Sequence, residues 1–313
     1  MKPKYKSLSL VVVAFVATAI WLYISEKQQK DHLLQESLIF KDRLNDCREI
    51  EIKTSEISLK LLKKNDRWEI TSPIQDLASP AGVRALLKPI QSQQYQKLET
   101  NKPKSAFGLD QPQMSFEARC SNRDYKLMFS KQLGPSKNHY IYSKGELYVG
   151  NFIWKNLFDI NLSYLRESYI LSSSIEDIKK ITYFQKELKQ PIEIELIDQK
   201  WVSKNNPINT KQVNKYLKGL ENLSSQSFYS NFISKKILSQ TNLISPILKI
   251  SIEYQDGFEN RNWKLALGES QGHYYVTTSS RNPIFEISTK DAKNMLWSIS
   301  DFKESPKKEV QSD

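Results

Sequence analysis

Histidine and cysteine are scarce in this chain, which has only three His and two Cys among its 313 residues. His32, His139 and His273 stand far apart, and neither a His-x-x-x-His nor a Cys-x-x-Cys spacing occurs. The sequence also lacks a Gly-x-Ser-x-Gly motif and a glycine-rich phosphate loop. Metal sites, hydrolase nucleophiles and nucleotide-phosphate sites therefore have no sequence support. We predict no catalytic, metal-binding or cofactor-binding residues, and no enzyme activity.

Paired carboxylates are the remaining catalytic hypothesis, because glycosidic cleavage needs two carboxyl groups about 5–9.5 Å apart. Candidate acids are Asp110, Glu117, Glu193, Glu195 and Glu253. No spacing singles out a pair among them. Glu193 and Glu195 alternate along one predicted strand, so they indicate a solvated face.

Long uncharged runs are absent except at the N-terminus, where 8–24 reads LSLVVVAFVATAIWLYI. Such a run reaches the short end of the roughly 17–25 residues that cross a bilayer as a helix. Lys2, Lys4 and Lys6 precede it, and the positive-inside bias places the N-terminus in the cytoplasm. We predict a cytoplasmic N-terminus at 1–7, a transmembrane signal anchor at 8–24 and a polar, helical stalk at 25–46. The body would then lie in the periplasm or at the cell exterior.

Two alternatives stay open at this end of the chain. Ala17-Thr18-Ala19 has the small-x-small form that signal peptidase accepts, so 8–24 could instead be a cleaved signal peptide. In an exported chain, Cys47 and Cys120 could form a disulfide, or Cys120 could be a small buried thiol. Both interpretations of the N-terminus export the rest of the protein.

The formal net charge is +11, from 46 basic and 35 acidic residues. A positive exported domain attracts anionic lipid head groups or acidic envelope polymers. Most lysines are scattered singly, which is typical of solvated faces. Export also makes nucleic acid an unsuitable partner.

An internal repeat organises the body of the chain, with matching signals about 134 positions apart. Trp68 and Pro73 match Trp201 and Pro207. The turn Phe107-Gly108-Leu109-Asp110-Gln111-Pro112 matches Thr241-Asn242-Leu243-Ile244-Ser245-Pro246, and His139-Tyr140 matches His273-Tyr274. A long period seen only twice predicts two similar globular units and not a solenoid.

Strand and helix patterns give the fold class, α+β. We predict two tandem, homologous antiparallel-sheet units, repeat unit 1 at 47–172 and repeat unit 2 at 173–303, followed by a disordered tail at 304–313. Each unit has one packed helix and one short closing helix. The first packed helix begins at Ser79-Pro80 and the second is predicted to be capped by Thr210, while 152–158 closes the first unit.

Repeat-matched residues provide the candidate sites. His139, Tyr140, His273 and Tyr274 could form a ligand surface, or could only begin equivalent strands whose alternation buries one ring and exposes the next. Trp68 and Trp201 are predicted packing anchors, and Gly108 is predicted to supply a positive φ. The prolines Pro73, Pro112, Pro207 and Pro246 are predicted structural breaks.

These residues resemble a bacterial family, the domain-of-unknown-function family 4340. The resemblance rests on the anchor, Trp68-Glu69-Ile70, Pro73 and the 107–112 turn, with a degraded second copy at Trp201 and 242–246. It implies a membrane-anchored protein with no established activity, of a kind encoded beside ABC-type transport proteins related to gliding-motility components.

The sequence therefore predicts a non-catalytic, membrane-anchored, extracytoplasmic accessory or scaffold protein in the cytoplasmic (inner) membrane. Its expected partner is a membrane protein complex with ABC-type transporter components, and no cofactor is expected. The alternative is a binding module for an anionic or polysaccharide envelope component.

Overall fold

The computed structural model describes residues 16–27, 46–92, 95–131, 138–151, 160–171, 178–188, 190–204, 206–256 and 259–302. The predicted segments 1–7 and 304–313, the closing helix at 152–158 and most of the stalk lie outside them. Helix α1 spans 16–27, so the predicted anchor is described only in part. Within the described residues, no helix has both the length and the apolar character needed to cross a membrane.

The first nine-stranded sheet has the order β4-β3-β2-β1-β6-β7-β8-β9-β5, and the pairs β1–β2, β1–β6, β3–β4, β5–β9, β6–β7, β7–β8 and β8–β9 are antiparallel. Its strands are β1 Cys47–Thr54, β2 Ser58–Lys64, β3 Arg67–Ser72, β4 Asp76–Leu77, β5 Gln96–Leu98, β6 Met114–Cys120, β7 Asp124–Phe129, β8 Asn138–Ser143 and β9 Glu146–Asn151.

The second nine-stranded sheet has the order β13-β12-β11-β10-β15-β16-β17-β18-β14. Its strands are β10 Ile178–Gln185, β11 Ile192–Ile197, β12 Lys200–Ser203, β13 Asn206–Pro207, β14 Ser227–Ser230, β15 Leu248–Asp256, β16 Glu259–Ser270, β17 His273–Thr278 and β18 Ile284–Ile287. Read position by position, the two orders are the same.

Helices connect and cover these strands. They are α2 Pro80–Ser92, α3 Leu162–Leu165, α4 Thr210–Glu221, α5 Lys235–Gln240, α6 Thr289–Met295 and α7 Ile299–Phe302, with a 3₁₀ helix at Lys104–Phe107. The predicted α+β class is confirmed. The short strands β4, β5, β13 and β14 escaped prediction because two to four residues carry too little alternation to stand out.

The chain divides into two compact units, one drawn from Met1–Asp66 and Val83–Ile160 and the other from Arg67–Gly82 and Asn161–Asp313. The predicted units 47–172 and 173–303 differ from this division, since Arg67–Gly82 groups with the C-terminal part. The physical reason is local to that second unit: Ala78 bridges Arg166 in antiparallel fashion, and Asp76 lies buried there.

Alternation and helical spacing account for the core of the second sheet. Along β15, Leu248, Ile250 and Ile252 face the interior and are at most 2% exposed. Helix α4 adds the stripe Val213, Tyr216, Leu217 and Leu220, whose spacing places all four on one side of the helix. That stripe packs into the same apolar cluster as the strands.

Helix α4 begins one residue earlier than predicted. Asn209, and not Thr210, is the N-cap, because its backbone is extended and its side-chain oxygen accepts a hydrogen bond from the amide of Gln212 at 3.2 Å. Asn is among the strongest N-cap residues, and Thr210 is free to form the first turn.

Candidate functional site

His139 and Tyr140, half of the predicted ligand surface, hold strand β8 in place. His139 is 4% exposed, and its Nδ1 lies 2.8 Å from the carbonyl oxygen of Ser130. The amide of Tyr140 donates to the Ser130 hydroxyl at 2.9 Å, and its ring meets Phe107 edge-on at 4.9 Å. His139 is therefore not presented at the surface.

His273 and Tyr274 lie in a different environment. His273 is exposed, and its Nδ1 lies 2.7 Å from Oε1 of Glu286. Hydrogen bonds from Ser227 and from His273 lower the pKa of Glu286. Tyr274 is partly buried against the second-sheet core.

The register also separates the two histidines that the repeat had paired. Ile141 opposes Phe129 in the first sheet, and Val276 opposes Leu267 at the same place in the second. Counting back from these residues, Tyr274 occupies the position of His139. His273 is one residue earlier, and a shift of one residue along a strand moves a side chain to the other face. The predicted equivalence of His139 and His273 is therefore wrong.

The two tryptophans are equivalent, as predicted. The carbonyl oxygen of Trp68 accepts from the amide of Ala78, and that of Trp201 accepts from the amide of Ile208. Trp201 is 4% exposed and its Nε1 donates to Asn214 at 3.2 Å, whereas Trp68 is only half-buried. Trp201 is thus the better packed of the two anchors.

The four predicted prolines take different places. Pro73 follows β3 after a cis peptide bond, and Pro112 and Pro246 precede β6 and β15. Pro207 lies within β13 opposite Val202, which is the register position of Leu77 opposite Glu69. The predicted match between Pro73 and Pro207 is therefore wrong.

Gly108 has φ +69, as its predicted role requires, and it ends the 3₁₀ helix. Asn242, at the matching position before β15, has φ +55. Asn tolerates this left-handed conformation better than other residues with a β-carbon, which explains why a glycine is not required there. Leu109 and Leu243, the residues that follow, are both buried.

The main candidate site lies on the face of the second sheet that points away from its core. Strand register places eight side chains there in two rows across β10, β15, β16 and β17. The first row is Phe184, Lys249, Ala266 and Thr277, and the second row is Thr182, Ser251, Lys264 and Ser279. We call these eight residues the lysine face.

The lysine face lines a depression of about 500 Å³. Lys249 and Lys264 are exposed and lie diagonally across neighbouring strands. Among the described residues, no carboxylate forms an ion pair with either lysine. The hydroxyl of Thr277 is buried and has no hydrogen-bond partner in the described structure. The site thus combines two uncompensated positive charges with hydroxyl groups and one aromatic ring.

On the corresponding face of the first sheet, the lysines form ion pairs with acidic side chains. Lys126 occupies the position of Lys264, and its Nζ lies 2.7 Å from Glu117, which occupies the position of Ser251. Glu51, at the position of Thr182, pairs with Lys53 at 2.8 Å. Sequence reasoning missed the lysine face, although the hydroxyl residues that stand at both acidic positions in the second sheet were a usable signal.

A buried charge cluster lies elsewhere in the second unit and was also missed. Asp76 accepts from Arg166 Nε at 2.8 Å, and from Arg281 Nε at 2.8 Å and Nη2 at 3.0 Å. Both guanidinium groups lie over aromatic rings, of Phe228 and Phe285. Burial lowers the pKa of Arg166, and Asp76 opposes that shift. Because all three charged side chains are buried, the cluster stabilises the fold and presents none of its charges to a substrate.

The segment Tyr229 to Ile233, which runs from the end of β14 toward α5, exposes three apolar side chains. Tyr229 is 44% exposed, Phe232 63% and Ile233 44%. Exposed apolar residues that are contiguous often mark a protein interaction surface.

Cys47 and Cys120 form a disulfide between the paired strands β1 and β6. Ile178 and Tyr254 occupy the corresponding pair in the second sheet, next to the same register irregularity. Stable disulfides are characteristic of oxidising compartments.

Comparison with known proteins identifies one family: residues 68–246 match the family described as "Domain of unknown function (DUF4340)". No curated protein and no solved structure gives a significant match.

Proposed function

The chain belongs to the DUF4340 family of domains of unknown function, and from that membership we propose that it is a non-catalytic, membrane-anchored accessory or scaffold protein. Its folded units would lie outside the cytoplasm, in contact with a membrane protein complex that includes ABC-type transporter components. The resemblance to this family supports the association with transport proteins. We further propose that the two sheets, which share one strand order, arose by duplication.

Helix α1 supports the membrane anchor. Its side chains Val16, Ile20, Trp21, Leu22, Tyr23 and Ile24 are between 47% and 69% exposed. Apolar side chains with this much exposure are unfavourable in water and are stabilised by a lipid environment. The aromatic residues at its C-terminal end suit the outer membrane-water interface.

The disulfide supports export, because the cytosol keeps most thiols reduced. Lys2, Lys4 and Lys6 precede the apolar run and favour a cytoplasmic N-terminus. Together these features favour a single-pass protein with the body in the periplasm or at the cell exterior.

The observation that carries the scaffold proposal is the exposed apolar segment Tyr229 to Ile233. An exported protein that stays close to the membrane can cover such a segment with a neighbouring protein. Burial of a Phe side chain contributes roughly 1.5–3 kcal/mol, which is enough to anchor a contact.

Site-specific photo-crosslinking in native membranes tests this proposal. A photoreactive residue at Phe232 should give an adduct with an integral membrane protein. The same residue at Ile197, which is 46% exposed on another strand, is the matched control and should not. Phe232→Asp should abolish the association while the chain remains in the membrane fraction. Equal adducts from both positions, or none from Phe232, would contradict the scaffold role.

A second candidate function, a binding module for an anionic or polysaccharide envelope component, is favoured by the lysine face. Two exposed lysines that form no ion pair with an acid in the described part of the chain attract anions, and the net charge of +11 adds long-range attraction.

A further inference from the structure

The geometry points to the lysine face as a binding site for an anionic saccharide, meaning a sugar that carries carboxylate or phosphate groups. This inference rests on the second candidate function and gives it a ligand class and a location. Lys249 and Lys264 would bind the anionic groups, the hydroxyl residues would bind sugar hydroxyls, and Phe184 would contact a sugar ring.

The first and second sheets carry different charges at equivalent register positions. In the first sheet, Glu117 and Glu51 neutralise the lysines beside them. In the second sheet, Ser251 and Thr182 occupy those two positions, so neither position carries an acid. Lys264 occupies the position of Lys126, and Lys249 adds a second lysine beside it. Neutral hydroxyl groups beside uncompensated ammonium groups form a surface that an anion complements.

The sheet order excludes one class of ligand. Strands β10, β15, β16 and β17 are all interior in the second sheet. Each of them has a neighbouring strand on both sides, so a peptide cannot bind here by adding a strand at a sheet edge. Recognition must use side chains, and a depression of about 500 Å³ is within the usual size range of small-molecule sites.

The lysine face has a defined limit at each end. Beyond the first row, the Thr241 carbonyl oxygen lies so close to Gly268 that a β-carbon there would overlap it, and Tyr275 packs with α5 residues over the same surface. Beyond the second row, Glu253 opposes Lys180, which is itself bound to Glu193 and Glu195. The open, positively charged part is therefore confined to the two rows.

Hydroxyl groups match the chemistry of a sugar. Ser251 Oγ is engaged with Asn262 at 2.7 Å, and the Ser279 hydroxyl accepts from the amide of Lys264 at 2.9 Å. The Thr277 hydroxyl still lacks a partner among the described residues, and rotation of this side chain toward the depression would let a ligand hydroxyl or anionic oxygen supply one. An unmet buried hydroxyl costs free energy, which a bound ligand recovers.

Binding is tested with the full-length chain in detergent micelles, by calorimetry or thermophoresis at low and at physiological ionic strength. The probes are trigalacturonate, glucose 6-phosphate, neutral maltotriose and the acidic peptide triglutamate. We expect trigalacturonate or glucose 6-phosphate to bind, and added salt to weaken binding. Maltotriose should bind at least about tenfold more weakly than the better anionic probe, because it lacks the groups that the lysines bind.

Variants locate the binding. Lys249→Gln with Lys264→Gln should weaken it about tenfold or more. The matched control, Lys53→Gln with Lys126→Gln, removes the same charge from the first sheet and should change binding less than about twofold. Ser251→Glu should also abolish binding, because it places beside Lys264 the acid that Glu117 places beside Lys126.

Three outcomes would overturn the inference: maltotriose binding as tightly as both anions, equal losses in the two double variants, or retained binding in a folded Ser251→Glu protein. Tighter binding of triglutamate than of either anionic sugar would also overturn it, in favour of an acidic protein segment. Circular dichroism checks folding in each variant. The crosslink from Phe232 is measured in parallel, so loss of the saccharide site and loss of the scaffold contact are distinguished.

Discussion

Replacing Asp76 by Asn tests whether the buried charge cluster stabilises the second unit. The Asp76 side chain is completely buried, and the side chains of Arg166 and Arg281 are at most 3% exposed. Its carboxylate accepts three hydrogen bonds from the two guanidinium groups and one from the amide of Leu77 at 2.9 Å. Asn has nearly the same shape but no charge, so the substitution removes the counterion that the described structure shows for the two buried cations.

The expected cost follows from the burial. Removing one partner of a buried ion pair costs roughly 3–5 kcal/mol, because the remaining charge stays desolvated and unpaired. Stacking on Phe228 and Phe285, and hydrogen bonds from Arg281 to carbonyl oxygens, keep both arginines in place and prevent their escape to solvent. For a unit of this size, each kcal/mol of lost unfolding free energy lowers the melting temperature by about 2–4 °C, so Tm should fall by roughly 6–20 °C.

Thermal and urea unfolding of the full-length protein, followed by circular dichroism, measures this effect. Glu193→Gln is the matched control, because the same acid-to-amide change occurs at a side chain that is 53% exposed and should cost less than about 1 kcal/mol. Replacing Asp76 by Leu together with Met at both arginines should recover most of the lost stability, since it leaves no unpaired charge. A loss below about 1 kcal/mol for Asp76→Asn would refute the assignment of the cluster.

Three further predictions concern other parts of the molecule. Cys47→Ser removes a disulfide between residues 73 positions apart and should lower stability by about 2–4 kcal/mol, measured by urea unfolding; an unchanged midpoint would mean that the bond does not form in the cell. Hydrogen bonds from Ser227 and His273 lower the pKa of Glu286, so their contribution to stability is present above the unfolded-chain pKa of about 4.3 and is lost as the pH falls through the folded-state pKa. Glu286→Gln should therefore make the urea midpoint depend less on pH between about pH 5 and pH 3. The same pH dependence in the variant and in the unchanged protein would contradict this. Trp201→Ala should cost about 3–5 kcal/mol by the same assay, whereas a loss below about 1 kcal/mol would show that this anchor does not support the core.

Much of the fold could be predicted because its signals are local. The alternating runs of β1, β6 and β15 and the apolar stripe of α4 each lie within a dozen residues, and side-chain period alone distinguishes strand from helix. Gly108 was assigned correctly for a similar reason, since a tight turn constrains φ within a few residues.

Errors arose where insertions shifted the register. His139 and His273 are 134 positions apart, but the strands that hold them align one residue differently, and their side chains therefore point to opposite faces. Likewise, Pro73 and Pro207 lie five and six residues after their tryptophans, yet the connection after β3 is longer than the one after β12. Sequence spacing cannot resolve such shifts, because hairpin loops change length at little cost.

The sequence by itself determined the α+β class, the order of most strands and helices, the left-handed turn at Gly108 and the family to which the chain belongs. Only the tertiary structure decided which charged groups meet. Asp76 and Arg281 are 205 positions apart, and the rows of the lysine face come from four strands. Such contacts depend on strand register and burial, which are properties of the assembled sheet, because each segment alone specifies only its own alternation and not the residue that lies opposite.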